Sequence, residues 1–395
     1  MKLRLFRPED VRGKNVLVRV DFNVPMHHGQ ITDNTRICAH LDTLKALRDA
    51  GARLALVSHF GRPKGKRNPE YSLAPVAVAL EALTGWPVHM VDDCLGPAVT
   101  QALNGLPDGA LLMLENVRFY AEEEQNDGEF AKKLAAPFDV FVMDAFSAAH
   151  RAHASTRGVA DILPSFAGDL MKKEIEALSA VRDHPEHPFV LILGGAKVSD
   201  KIGVIENMLD HVDTILVGGG MAFTFLKAQG KEIGKSLCET EKVDFAREML
   251  VRAKEKGLSI VLPEDAVVAS ELKDGVSCTV VSTDAIPEGQ MGLDIGPRTS
   301  ERFAHVLQSA RTVLWNGPMG VFEIPAFAEG SKKLANALVE ATTRGALTVV
   351  GGGDSAAAIA QFGLEKKVRH VSTGGGASLE FFEGLPLPGV EPLVE

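Results

Sequence analysis

Short apolar runs alternate with helical patterns along nearly the whole chain, and this alternation restricts the fold more than any other feature of the sequence. In the first half, Asn15 to Val20, Arg53 to Val57, Val88 to Val91, Ala110 to Leu114 and Val140 to Met143 read as strands. Helical patterns near Thr35 to Ala50, Pro75 to Leu83, Pro97 to Leu103 and Phe130 to Ala136 separate them. In the second half the strands are Phe189 to Leu193, Thr214 to Val217, Ser259 to Leu262, Cys278 to Val281, Thr312 to Trp315, Leu347 to Val350 and His370 to Ser372. Strands joined through helices form parallel sheets covered on both faces, and such sheets gather ligands where the loops converge at the carboxyl ends of the strands. Gly168 to Arg182 reads as one connecting helix, with Leu170, Met171, Ile175, Leu178 and Val181 at apolar positions. A length of 395 residues suits two or three domains, and 45% hydrophobic content is ample for their cores.

The loops after the first-half strands are basic and polar. Asp21 and Asn23 follow the first strand, and Arg36 sits in the first turn of the helix after it. The later strand ends deliver His59 and Arg62, then Arg118, then Arg151. One such arginine reads as a surface ion pair, whereas five basic groups at equivalent strand ends read as a pocket. Guanidinium forks match carboxylate and phosphate oxygens, so the expected ligand is a small, multiply anionic metabolite.

The second-half strands end in glycine. Phe189 to Gly203 reads FVLILGGAKVSDKIG, a buried strand, a glycine turn and an expected helix with Lys197 and Lys201 four apart on one face. Lysines in a helix's first turns oppose the positive end of its dipole at about 0.3–1 kcal/mol each, a penalty that bound phosphates reverse. On their own, two lysines fit a solvated surface helix equally well. Further strands, however, enter GGGMAFTF, NGPMGVFE, GGGDS and a glycine triplet at Gly374 to Gly376. Glycine lets backbone N–H groups approach phosphate closely, and Asp354 and Ser355 within GGGDS could reach a bridging Mg²⁺. Together these features favour a nucleotide site.

Other classes fit poorly. A net charge of −10 opposes nonspecific binding to nucleic acid or anionic membrane, and no uncharged apolar run approaches the ~20 residues of a membrane helix. Cys38, Cys94, Cys238 and Cys278 form no CxxC pair, so reduced thiols and a cytoplasmic setting are expected, and the N-terminus does not read as a signal peptide. His150 with His153, and His184 with His187, lack a third ligand cluster and read as solvated or structural. GKEIGKS at Gly230 to Ser236 is one residue short of the phosphate-loop spacing, and GGGMAF has Phe223 where a dinucleotide fingerprint needs glycine.

Several longer motifs resemble the phosphoglycerate kinase family. They are VRVDFNVP (Val18 to Pro25), SHFGRPKG (Ser58 to Gly65), ENVRF (Glu115 to Phe119), AHRAHAS (Ala149 to Ser155), GGAKVSDKI (Gly194 to Ile202), GGGMAFTFLK (Gly218 to Lys227), WNGPMGVFE (Trp315 to Glu323), GGGDS and STGGGASLE (Ser372 to Glu380), in order along nearly the whole chain. The resemblance implies two doubly wound, Rossmann-like α/β domains facing across a hinged cleft. Residues 1–168 would bind phosphoglycerate, 169–182 would form the interdomain helix, 183–376 would bind nucleotide, and 377–395 would return to the first domain. It further implies that Asp21, Asn23, Arg36, His59, Arg62, Arg118 and Arg151 hold 3-phosphoglycerate or 1,3-bisphosphoglycerate. Lys201, Gly292, Glu323, Gly352, Gly353, Asp354 and Ser355 would face ADP or ATP, with Asp354 near Mg²⁺. Arg36 and Lys197 would contact the transferred phosphoryl group. Ser147 and Ala148 depart from the usual Gly and Thr, which bears on the shape of that loop, while Ser355 replaces a common Thr and keeps the hydroxyl.

The expected chemistry is direct phosphoryl transfer from 1,3-bisphosphoglycerate to Mg-ADP, with domain closure excluding water. Both possible nucleophiles are ionised at neutral pH, so no general base is expected. A noncatalytic sensor of nucleotide and metabolite, and a nicotinamide-dependent dehydrogenase, are the competing classes. A monomer is expected, since no feature demands an oligomer.

Overall fold

Val16, Leu17 and Val18 are fully buried at the centre of a six-stranded parallel sheet in the computed structural model, which describes residues 1–395. The chain divides into two compact units, Met1–Glu176 with Pro386–Glu395, and Ala177–Leu385.

The first unit contains β1 (Asn15–Arg19), β2 (Arg53–Val57), β3 (Val88–Met90), β4 (Leu111–Met113), β5 (Val140–Met143) and β6 (Ser165–Ala167), in the spatial order β3-β4-β2-β1-β5-β6. All neighbours are parallel. The near-continuous apolar character of β1, β2, β4 and β5 follows from burial on both faces. The strand order reverses at β1, and the loops after β1, β2 and β5 therefore splay apart there and leave a crevice.

The expected helix over Thr35 to Ala50 is two helices, α1 (Thr35–Ala39) and α2 (Leu41–Asp49), broken at His40. The break has a cause in the side chain. His40 turns inward and is almost fully buried, where Nε2 accepts the Asp21 N–H at 2.9 Å and Nδ1 meets Asp144 Oδ2 at 2.7 Å.

Helix α3 (Asp169–Asp183) covers the expected connecting helix, and the division between the units falls within it, after Glu176. Its first turn is held by Asp144 Oδ1, which accepts the Leu170 N–H at 3.0 Å, and by Thr43 Oγ1, which accepts the Asp169 N–H at 2.7 Å. The chain re-enters the first unit at Pro386; Ala377 to Leu385, read from sequence as part of the returning tail, group with the second unit. In the returning segment Gly389 N–H donates to Ala149 O at 2.8 Å, Glu391 pairs with Arg157 at 2.6 Å, and Val394 bridges Leu3.

The second unit has a sheet of β7 (Phe189–Leu193), β8 (Thr214–Val217), β9 (Ser259–Val261), β13 (Thr312–Asn316), β14 (Leu347–Gly351) and β15 (His370–Val371). It is also all parallel, in the order β9-β8-β7-β13-β14-β15. Its order reverses between β7 and β13. A separate antiparallel sheet joins β10 (Asp265–Ala269), β11 (Cys278–Ser282) and β12 (Met291–Ile295). The sequence reading placed Cys278 to Val281 in the alternating series and read no strand at β10 or β12. In the structure β11 is an exposed edge strand, returned onto β10 without an intervening helix.

Candidate functional site

In the first unit the segments that follow β1, β2, β4 and β5 carry the predicted basic residues. Asp21 follows β1 and is 5% exposed. Its Oδ2 accepts from Arg36 Nη1 at 2.6 Å and from the Ser147 hydroxyl, and its Oδ1 accepts the Asn23 N–H at 3.1 Å. Burial opposes ionisation of Asp21, while Arg36 and these hydrogen bonds favour the carboxylate. Asp21 thus fixes the guanidinium of Arg36, whose side chain remains 43% exposed. Asn23 Oδ1 in turn accepts the Gly61 N–H at 2.9 Å, which joins the loop after β1 to the loop after β2.

Arg118 is buried and donates to Gly61 O at 3.0 Å, with Glu124 at 3.4 Å from its Nε. Burial lowers the pKa of this guanidinium, and Arg151 and Arg62 add like-charge repulsion. That mutual repulsion places the three arginines within one field. Arg62 and Arg151 are exposed, and Arg151 Nε donates to His150 Nε2 at 3.2 Å. His153 is pushed down to about 3 by burial and by the charges of Arg19, Arg118 and Arg151. Such a concentration of positive charge, with Arg62 and Arg151 not engaged by a carboxylate, suits a ligand with several anionic oxygens.

Sequence reading missed what lies beneath these residues. Arg19, on β1, is completely buried; its Nε donates to Ser155 Oγ at 2.8 Å, its Nη1 to Val20 O, and its Nη2 lies 3.1 Å from His59 Nδ1. Ser155 donates its hydroxyl and its N–H to the fully buried Glu123, at 2.6 and 2.9 Å. The signal was present in the sequence as a lone arginine inside the apolar strand NVLVRV.

The second unit offers a concavity at the point where its strand order reverses. It is lined by Gly194 to Lys197, Asp200, Lys201, Asn316, Gly317 and Gly352 to Ser355. Two loops can meet backbone to backbone here only because both lack side chains, since a Cβ on Gly194 would stand 2.1 Å from Pro318 O. Gly352 has φ 90° and stands just before the helix α6 (Gly353–Gln361), which follows α4 (Ile202–Met208) and α5 (Met221–Ala228) in the chain. Its first turn carries exposed Asp354, while buried Ser355 accepts the Gly317 N–H at 2.6 Å and so ties β14's loop to β13's.

Lys197 and Lys201 do line one surface, but not as neighbours on an α-helix. Lys197 lies in an irregular turn and Lys201 closes a single 3₁₀ turn, Ser199–Lys201; α4 starts only at Ile202. The backbone here is spent on cross-loop bonds: Gly195 N–H donates to Pro318 O at 2.9 Å, and Ser199 N–H donates to Glu239 Oε2 at 3.0 Å. Lys201 donates to Asn316 Oδ1, and burial lowers its pKa despite the nearby carboxylates of Asp200, Asp354 and Glu383.

Gly292 and Glu323 are not among the residues lining this concavity. Gly292 lies on β12, its N–H donating to Ser236 Oγ at 2.9 Å, and a Cβ there would stand 2.0 Å from the Phe223 ring. Glu323 is exposed in the loop after β13. The donor set at the concavity fits Mg²⁺ of the nucleotide-bound kind: two exposed carboxylates, Asp200 and Asp354, beside groups suited to phosphate, where substrate oxygens and water supply the remaining ligands.

Residues 7–385 match the family model described as phosphoglycerate kinase. The chain belongs to the phosphoglycerate kinase family. Among curated relatives, the phosphoglycerate kinases of Dictyoglomus turgidum (strain DSM 6724 / Z-1310) and Moorella thermoacetica (strain ATCC 39073 / JCM 9320) are each 55% identical to it. They cover 98% of this chain, with 97% and 98% of their own lengths matched. Among solved structures, phosphoglycerate kinase from Coxiella burnetii superposes with a TM-score of 0.87 at 44% identity, covering 97% of both chains. The Pyrococcus horikoshii OT3 phosphoglycerate kinase gives 0.85 at 34% identity, covering 98% of both. In this phosphoglycerate kinase family member, Ser147 stands at one of the departures from the motif, and its hydroxyl supplies a bond to Asp21 that the Gly expected from the family pattern could not.

Proposed function

We propose that the chain is a phosphoglycerate kinase that transfers a phosphoryl group reversibly between 1,3-bisphosphoglycerate and ADP, giving 3-phosphoglycerate and ATP in glycolysis. The observation that carries this reading is the pairing of unlike sites in one chain. One unit presents Arg36 held on Asp21 together with Arg118, Arg151 and Arg62, and the other presents bare backbone with Lys197, Lys201, Asp354 and Ser355.

Arg62, Arg118 and Arg151 bind the carboxylate and phosphate oxygens of the three-carbon acid, and Asn23 and His59 complete that site. Main-chain N–H groups at Gly352 to Ser355 and the ammonium of Lys201 hold the nucleotide's phosphates, while Gly292 and Glu323 serve its nucleoside end. Arg36, oriented by Asp21, and Lys197 neutralise charge on the moving phosphoryl group. The accepting oxygen is already ionised in either direction, so no side chain needs to remove a proton. Asp354 would hold Mg²⁺, which when bound neutralises phosphate charge.

Direct transfer requires the accepting oxygen to reach the phosphorus in line with the leaving oxygen, so the proposal includes a hinge movement about Asp169–Asp183 that brings the two substrates together and excludes water. Four free cysteines support work in a reducing, cytoplasmic compartment. A single chain supplies both sites, which supports action as a monomer.

The test is ATP formation by the purified chain from 1,3-bisphosphoglycerate, ADP and Mg²⁺. Steady turnover with stoichiometric 3-phosphoglycerate is expected; binding of both ligands without turnover would make the protein a sensor and overturn the reading.

A further inference from the structure

His59 stands among the site's basic residues, yet its surroundings are hostile to a second proton. A guanidinium carries only N–H donors and no acceptor. With Arg19 Nη2 at 3.1 Å, His59 Nδ1 must therefore be the acceptor, and the ring's proton belongs on Nε2. A doubly protonated ring would set N–H against N–H and one positive charge against another. Arg19 cannot swing aside, since its Nε is bonded to Ser155 and its Nη1 to Val20 O, and its side chain has no exposed surface. Ser155 is itself clamped by both oxygens of Glu123, which is equally buried.

We propose that Glu123, Ser155 and Arg19 are positioning residues that fix His59 as a neutral imidazole protonated on Nε2, so that it offers the phosphoglycerate a hydrogen-bond donor and no positive charge. This rests on the reading of the crevice as a phosphoglycerate site.

The charged groups facing His59 agree. Arg19 from β1, Arg118 from the loop after β4 and Arg36 from α1 all disfavour a cation there, and only Asp21 favours one. Burial, at 8% exposure, works in the same direction, and together they hold the ring well below the ordinary imidazole range. Nε2 has no hydrogen bond within the protein and is not among the buried atoms lacking a partner, so it opens toward solvent and is free to meet a ligand oxygen. The neighbouring His40 is the reverse case: its Nε2 accepts the Asp21 N–H, which puts its proton on Nδ1 toward Asp144. Two histidines flanking Asp21 are thereby set in opposite tautomers by groups that can only donate.

The decisive experiment is long-range ¹H–¹⁵N correlation of histidine-labelled, full-length protein between pH 5 and 8, with the His59 signals assigned by their loss in His59→Gln. The expected pattern is an unprotonated Nδ1 and a protonated Nε2 with no titration across that range. An imidazolium at pH 7, or a proton on Nδ1, overturns the proposal whether or not the protein binds phosphoglycerate. Ser155→Ala should lose the single-tautomer pattern and raise KM for 3-phosphoglycerate about fivefold, the worth of one hydrogen bond, with KM for nucleotide unchanged. Ser155→Thr should restore both. An unaltered His59 spectrum in Ser155→Ala would remove the relay from Glu123. A spectrum as expected with no affinity for 3-phosphoglycerate would instead count against the reading of the site and against the ligand role given to Nε2.

Discussion

Arg36 Nη1 stands 2.6 Å from Asp21 Oδ2, and the same oxygen accepts the Ser147 hydroxyl. A buried carboxylate that follows β1 thus aims an exposed guanidinium from α1. Replacing Arg36 with Ala should lower kcat by about a hundredfold or more, since preorganised donors at a developing charge contribute on that scale. KM for ADP should stay within about twofold of wild type, because a group acting mainly in the transition state contributes little to ground-state nucleotide binding. Steady-state kinetics in both substrates decide it; near-normal kcat would remove Arg36 from the transfer step.

Asp354 is the exposed carboxylate at the start of α6, in the nucleotide concavity that Asp200 also lines. Asp354→Ala should raise the Mg²⁺ concentration needed for half-maximal rate by about tenfold, as expected when one of a few protein ligands to a phosphate-bound metal is lost. Titration of rate against Mg²⁺ at fixed total nucleotide measures this. A superimposable curve would take the metal away from Asp354.

Two glycines of the same concavity should respond differently. A methyl on Gly194 would collide with the Pro318 and Gly317 carbonyl oxygens, at 2.1 and 2.5 Å, whereas a methyl on Gly353 meets nothing within 4 Å. Gly194→Ala should therefore lower the thermal midpoint by several degrees, consistent with a backbone clash costing roughly 1–3 kcal/mol. Gly353→Ala should leave the midpoint unchanged and raise KM for ATP, because the methyl occupies space a phosphate would approach. Equal stability losses in the two variants would contradict the geometry.

Asp294, at the end of β12, is 4% exposed, and burial pushes its pKa up to about 8 even though the Ile295 and Gly330 N–H groups donate to it. An unfolded aspartate loses its proton near about 3.9, while this one keeps it to higher pH. Between those limits the folded state binds the extra proton, so stability declines as pH rises, by at most about 1.4 kcal/mol per pH unit from this group. Asp294→Asn should flatten that decline between about pH 4 and 8. Urea unfolding of both proteins at pH 5 and pH 8 checks it; parallel pH dependences would assign the proton elsewhere.

The two parallel sheets were legible because buried parallel strands announce themselves as uninterrupted apolar runs, as in FVLIL and RLALV. The antiparallel sheet escaped because β11, CTVVS, is exposed along most of its length and β12 contains Gly292, so neither resembles a core strand. Site residues at strand ends could be read individually, since the fold class places strand ends together. Their supports could not. Glu123 and Ser155 sit in polar stretches of ordinary appearance, and only the fold brings them onto Arg19. The helix expected to carry Lys197 and Lys201 failed for a related reason: local spacing cannot show that Gly195 and Ser199 spend their N–H groups on other loops.

The account holds that the phosphoryl group passes directly between the two substrates, with the protein supplying position and charge and no covalent partner. Transfer from ATP whose γ-phosphorus is chiral in oxygen isotopes tests this most directly. Inversion of configuration in the 1,3-bisphosphoglycerate formed is the expected result; retention would demand a phosphorylated protein group between the two steps and would contradict the account.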